Sequence, residues 1–287
     1  MIDLVLATAE IDEDETLAPL VDSAVELGVR WVDLLYPRNT DFEGLQRTLN
    51  RLADADLRVA AIGTRTELGI EGDVKQHQQR LMEAISVAVD VGCEYVNTYC
   101  GARTRMDDGV VIKEYQRNLE PCLELAQRRN VTITLENEFD ALGQDPHGSD
   151  LTRRADAVRK LVESVGSDRF RLAFDPCNAH FADAECFPAY YETIREFIGY
   201  VHVKDGHLRS DPPDSRWKCY DDHGRGYQVC ELGSGALNWH GILSGLLADG
   251  YDGFLCLEPH ALPGHRAEAW RQAVRFLQPL TSATGGQ

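Results

Sequence analysis

Four residues, Glu136, Asp175, His202 and Glu258, stand at or near the ends of short apolar runs: VTITLE (131–136), RLAFD (171–175), YVHVKD (200–205) and FLCLE (254–258). Side chains alternate across a strand, so residues of one parity share a face. In YVHVKD the apolar Val201 and Val203 define one face and leave His202 and Lys204 on the other. The same test sets Val131, Ile133 and Leu135 against Thr132, Thr134 and Glu136; Leu172 and Phe174 against Ala173 and Asp175; and Leu255 and Leu257 against Cys256 and Glu258. Alone, each polar group would ordinarily cap a loop or make a solvated hydrogen bond. If the four strands line one interior, the three carboxylates repel one another unless a cation sits among them, and a divalent metal supplies that cation. Three oxygen ligands and one imidazole suit Mn²⁺ first, with Mg²⁺, Co²⁺ and Zn²⁺ as alternatives.

The elements that must bring these strand ends together are legible along the whole chain. Strand-like runs fall at 2–7, 31–36, 58–63, 95–100, 131–136, 171–175, 200–205 and 254–258, eight in all. Helix-period segments lie between and after them at 15–28, 41–56, 73–92, 113–130, 150–166, 184–197, 238–250 and 266–280. Gly28, Gly92, Asn130, Gly166 and Gly250 supply left-handed helix stops, and Asp41 and Asp150 supply starts. Pro121 is expected to kink its helix and Pro188 to mark where another begins. Strict alternation of strand and helix implies parallel pairing, and closure gives an α/β protein of the (β/α)8 TIM barrel class, typically about 250 residues long. An open doubly wound sheet competes, but no GxGxxG follows the first strand. One domain over 1–287 is expected, with a disordered tail from 280. Segments 101–112 and 206–237 are long for connections and fall where barrel active sites are built.

Composition narrows the partners. Lys and Arg number 29 against 47 Asp and Glu, a net charge of −18, which argues against nucleic acid and anionic membranes. The eight cysteines lack CxxC spacing and read as reduced, mostly buried thiols. No apolar stretch approaches about 18 residues and the N-terminus resembles no signal peptide, so a cytoplasmic protein is expected, with a homo-oligomer left open.

The strand ends TLENEF, FDPCNAH, YVHVKDGH and CLEPH, in that order, with ELGSGALNW (231–239) before the last, resemble the xylose isomerase-like TIM barrel superfamily, in its sugar phosphate isomerase/epimerase branch. The resemblance covers essentially the whole chain. It implies that Glu136, Asp175, His202 and Glu258 hold the metal. Members often carry Asp-x-x-His on strand six; here Asn178 occupies the histidine position and His180 comes two residues later, which implies a substrate contact or a supporting role for one of them.

A metal chelated by a ketose carbonyl and its neighbouring hydroxyl acidifies the adjacent C–H, and Glu136 and Glu258 could remove and return the proton. Return to the same carbon is epimerisation, return to its neighbour is isomerisation, and loss of a β-hydroxyl is dehydration; the ligand set does not distinguish them. The leading expectation is therefore a metal-dependent isomerase or epimerase of a sugar or keto-sugar. A lyase acting on a keto-inositol or keto-glycoside is the alternative, then a non-catalytic sugar-binding barrel and, last, an endonuclease-type phosphodiesterase. Lys204 is expected one layer deeper than His202, paired with an interior carboxylate. Asp205 is expected to orient a turn, His207 to be a loop or supporting residue, and Arg225 to be a substrate contact among the aromatics Trp217, Tyr220 and Tyr227. Arg103 and Arg105 could meet an anionic group or pair on the surface, and Trp239 is expected to pack.

Overall fold

The computed structural model describes residues 2–11, 17–36, 42–70, 72–104, 107–139 and 148–282. Eight parallel strands close a barrel: β1 (Asp3–Ala7), β2 (Trp31–Tyr36), β3 (Arg58–Glu67), β4 (Tyr95–Tyr99), β5 (Thr132–Glu136), β6 (Phe170–Phe174), β7 (Ile198–Val203) and β8 (Phe254–Leu257). Each pairs with its sequence neighbours, and β8 closes onto β1 with Asp3 opposite Phe254 and Leu6 opposite Leu257. Alternation explains the core. Val32, Leu34, Ile133, Leu135, Leu172, Phe174, Val201, Val203, Leu255 and Leu257 pack outward against the helices, in one large apolar cluster. The inward side fills the lower barrel with Val5, Ala7, Ala173, Tyr200 and Cys256 over Trp31, Tyr95 and Phe254, joined by both Ala60 and Ala61 where the register of β2 against β3 shifts. This apolar plug is the floor beneath the polar strand ends.

Helix stops fall where glycine and asparagine predict them: Gly28, Gly92, Asn130 and Gly166 cap their helices at φ 68, 71, 57 and 61°. Asp41 and Arg105 lie outside the described residues. Several expectations need correction. Helix Asp108–Arg129 begins five residues early, capped by Asp107 on the N–H of Gly109, and runs through Pro121. The segment 101–112 is thereby shortened, and Ala102–Thr104 pairs with Gly148–Asp150. The helix expected over 184–197 is broken into an irregular turn with Phe187 in extended conformation, a single helical turn Tyr191–Ile194 and a 3-10 turn. The long 206–237 connection is not an open loop: Asp205–Leu208, Arg225–Cys230 and Cys219–Asp222 form a three-stranded antiparallel sheet. The last helix, Arg266–Ser282, continues past position 280, where the tail was expected. All eight cysteines are free thiols, six of them buried. Among the described residues no helix is long and apolar enough to cross a membrane.

Candidate metal centre and active site

The four strand-end groups meet. One ligand atom from each of Glu136, Asp175, His202 and Glu258 lies within 4.8 Å of every other. His202 Nδ1 stands 3.0 Å from Glu136 Oε1 and 3.5 Å from Glu258 Oε2. Lys204 Nζ stands 2.6 Å from Asp175 Oδ2 and 3.9 Å from Glu258 Oε2. The short helix Pro176–Phe181 places Asp175, which is its cap: Oδ1 accepts from Asn178 N at 2.9 Å, and Oδ2 is left to the cup.

Supporting amides fix the carboxylates. Glu136 Oε2 accepts from Asn97 Nδ2 at 2.8 Å and Oε1 from Asn178 Nδ2 at 3.2 Å. Asn137 and Asp175 exchange hydrogen bonds at 2.8 Å, joining the ends of β5 and β6. Glu258 shows no such hydrogen bond among the described residues, only looser contacts with His202, Lys204 and His260.

This difference sets the electrostatics. Burial works to raise Glu136, but His202, Lys204 and Asn97 outweigh it and hold the carboxyl down at about 2. Burial lifts Glu258 above the ordinary carboxylate range, against the pull of His202, and lifts Asp175 likewise against Lys204. Burial works to lower His202, but Glu136 and Glu258 raise it to about 10. Burial also opposes the Lys204 charge, which Asp175, Glu258 and Glu136 stabilise. Two of the three carboxylates are thus held reluctantly, and the repulsion expected from the sequence is present in the fold.

Whether these residues fit a metal can be asked of their unmet bonds. Both ring nitrogens of His202 and Asp175 Oδ2 are buried without a hydrogen-bond partner, apart from their ion-pair contacts. Three hard oxygen donors and one imidazole, with inward-facing lone pairs, are a donor set for a divalent cation. The residues fit.

Other expected residues divide. Asn178 touches the cup through its bond to Glu136. Lys204 pairs with an interior carboxylate as expected but lies at the mouth, since β7 runs upward and Lys204 comes directly after its last residue. Asp205 orients a turn: its carboxylate accepts from the N–H groups of Gly206, Gly233, Gly235 and Leu237. His180 packs tilted against Phe181 and edge-on to Tyr227, and His207 bonds the Leu208 carbonyl, so neither contact reaches the cup. Arg225 is exposed and paired with Asp183, which removes it from the site. Trp239 is buried, as expected. Arg103 lies in Ala102–Thr104, whose side chains are not among those described.

Asn97 and Asp33 were not expected from the sequence. Both have the inward parity of YVNTYC and WVDLLY, so the alternation test finds them once it is run on those strands. Asp33 lies under the cup with Tyr200 hydroxyl 3.2 Å away, and burial lifts it to about 7. Glu10 and His260 were also missed; neither sits in an alternating run. A groove of about 780 Å³ opens at the other end of the barrel, where Thr132, Gly199 and Gly253 lie at strand starts. Arg159 and Arg195 there are already paired with Glu196 and Asp249.

Comparison with known proteins agrees with this architecture. A family model described as xylose isomerase-like TIM barrel matches residues 21–280. No curated protein matches the sequence. Solved structures match throughout: a D-tagatose 3-epimerase-like protein at 14% identity and TM-score 0.74, covering 98% of this chain and 99% of that one. A probable 3-DHS dehydratase from Bacillus anthracis is 17% identical, TM-score 0.73, over 96% and 99%. A xylose isomerase-like TIM barrel protein from Mycobacterium smegmatis in complex with magnesium is 17% identical, TM-score 0.72, over 99% and 98%. At these identities the likeness is one of fold.

Proposed function

The chain belongs to the xylose isomerase-like TIM barrel family, and from that premise we propose that it is a divalent-metal-dependent isomerase or epimerase of a sugar or keto-sugar. The observation that carries the reading is the convergence of Glu136, Asp175, His202 and Glu258 within 4.8 Å, where the buried His202 nitrogens and Asp175 Oδ2 have no contacts beyond ion pairs within the cup. These four residues would hold the cation, with Mn²⁺ the first to test. When bound, such a cation polarises a carbonyl and steadies the negative charge that develops as the neighbouring C–H is broken.

The chain's own residues supply the proton transfers. Glu258 is loosely held and lifted by burial, which makes it the better base, because its carboxylate loses least on taking a proton. Glu136 is stabilised as an anion by two amides and His202, so it holds position more firmly and accepts a proton less readily. Asn97 and Asn178 hold the Glu136 carboxylate, and Asn137 holds the Asp175 backbone in register with it. Lys204 neutralises Asp175 and steadies the mouth of the cup.

Loss of a β-hydroxyl after the same first step is the second reading, supported by the likeness to the probable dehydratase. Ketoses, aldoses and keto-inositols incubated in D₂O with Mn²⁺ and monitored by NMR test both. Deuterium entering an intact carbon skeleton supports the isomerase or epimerase, and loss of water or an aglycone supports the lyase. Protein that holds no divalent metal, or activity indifferent to EDTA, refutes the reading.

A further inference from the structure

Glu10 is a buried carboxylate with no part in the proton transfers of the cup. It ends the 3-10 turn Thr8–Glu10 after β1, is 1% exposed, and its Oε2 has no hydrogen-bond partner among the described residues. Its Oε1 faces His260 Nε2 at 3.5 Å, and the same nitrogen lies 3.9 Å from Glu258 Oε2. One imidazole nitrogen therefore stands between Glu10 and a wall of the cup.

The fold holds that imidazole firmly. The Tyr220 hydroxyl meets His260 Nδ1 at 2.6 Å, Lys218 N donates to the His260 carbonyl at 3.0 Å, and Trp217 bridges to Ala261 in antiparallel fashion. His260 itself sits at φ 46°, a left-handed conformation that is uncommon outside glycine and recurs at functional sites. A phenol carries its proton at neutral pH and donates it to Nδ1, which leaves the proton of a neutral ring on Nε2.

A buried acceptor without a partner and a neighbouring donor with only long contacts form a matched pair. A hydroxyl, which donates and accepts at once, satisfies both. Burying a carboxylate with an unmet oxygen costs stability, so its place at the rim calls for a ligand. Burial lifts the Glu10 carboxyl to about 7, with Lys218, Lys204 and Arg266 opposing the rise and Glu258 adding to it.

We propose that Glu10 and His260 form a hydroxyl-binding subsite beside the metal cup. It holds a substrate hydroxyl remote from the exchanging carbon, so the ligand is a polyhydroxylated ketone, a ketose or keto-glycoside. Glu10 accepts from the hydroxyl and His260 Nε2 donates to its oxygen. The inference rests on the reading of the cup as a sugar site.

The test is calorimetric titration of the Mn²⁺-loaded wild type, Glu10→Gln and Glu10→Leu with D-fructose, D-tagatose and their singly deoxygenated forms, with Tm measured alongside. Wild type is expected to bind at least one ketohexose, and to bind one deoxygenated form about tenfold or more weaker. Both variants are expected to weaken the parent sugar by a similar factor and to lose that discrimination, while Glu10→Leu keeps or raises Tm. Variants that bind every sugar as wild type does overturn the subsite. So does a Glu10→Leu protein whose Tm falls by several degrees, since the carboxylate is then structural. If metal-loaded wild type binds neither sugar, the subsite and the sugar reading fall together. If it binds but exchanges no proton in D₂O, the proposed reaction falls alone, and the variants' binding still decides the subsite.

Discussion

Lys204 Nζ lies 2.6 Å from Asp175 Oδ2 with both side chains sealed from solvent, so a metal-facing carboxylate already has a cation of the protein's own. Removing one partner of a buried ion pair leaves an uncompensated charge and typically costs about 3–5 kcal/mol. Lys204→Met should therefore lower Tm markedly in EDTA, and added Mn²⁺ should recover much of the loss by taking over the neutralising role. Wild type should show the smaller metal-dependent shift. Thermal melts of both proteins with EDTA and with Mn²⁺ check this; equal shifts contradict it.

Glu258 and Glu136 should respond differently to amide substitution. Glu258→Gln should keep the fold and ligand binding while slowing solvent deuterium exchange by a factor of about 10² to 10⁴. Glu136→Gln turns an amide donor toward Asn97 and Asn178, both donors themselves, and should lose about 1–3 kcal/mol of stability besides. Unfolding midpoints and exchange rates for the pair separate the two roles.

The His202–Glu136 contact gives a signed pH dependence in metal-free protein. His202 is raised from 6.5 to about 10, so its contribution is full below pH 6.5 and is lost as pH rises through about 10. Glu136 is lowered from 4.5 to about 2, so its contribution is full above pH 4.5 and is lost as pH falls through about 2. Urea unfolding in EDTA should show the alkaline decline in wild type and a flatter limb in His202→Gln. Because the imidazole must shed its proton to bind a cation, Mn²⁺ should bind more tightly as pH rises from roughly 6.5 to 8.5, which titration calorimetry measures.

Asp33 has the opposite sign to Glu136. Burial lifts it from 3.8 to about 7, so the folded state holds a proton that the unfolded state has released, and stability falls as pH rises between those values. Asp33→Asn keeps an acceptor for the Tyr200 hydroxyl and should raise Tm more at about pH 8 than at about pH 5. A Tm gain independent of pH contradicts this account.

Asp205 acts at a distance from the cup. Asp205→Ala strands four backbone donors over 206–237 and should cost about 3 kcal/mol, read as a lower urea midpoint. A Cβ on Gly235 would meet Asp205 Oδ1 at 2.0 Å, so Gly235→Ala should destabilise the same turn.

The barrel and the four-residue cup were legible because both come from a local rule. Alternation along a strand fixes which residues face inward, and alternation of strands with helices fixes parallel closure. Glu136, Asp175, His202 and Glu258 obey the first rule, and their mutual distance results from the second. Where side chains leave that repeat, the sequence loses its hold. Arg225, beside three aromatics in sequence, turns out to Asp183 at the surface. Lys204 has the expected kind of partner but stands in a different layer, because parity gives a face and only strand direction gives a height.

The apolar periods of this chain determined its fold class, its core and the inward set at the strand ends, since burial of each apolar face admits one register. Tertiary structure alone decided what surrounds that set. It brings Glu10 from the first strand end, Tyr220 from the β-sheet in 206–237 and His260 from the eighth strand end into one contact chain, 250 positions apart at the extremes. No local period encodes such a meeting, because it exists only when the barrel closes β1 against β8.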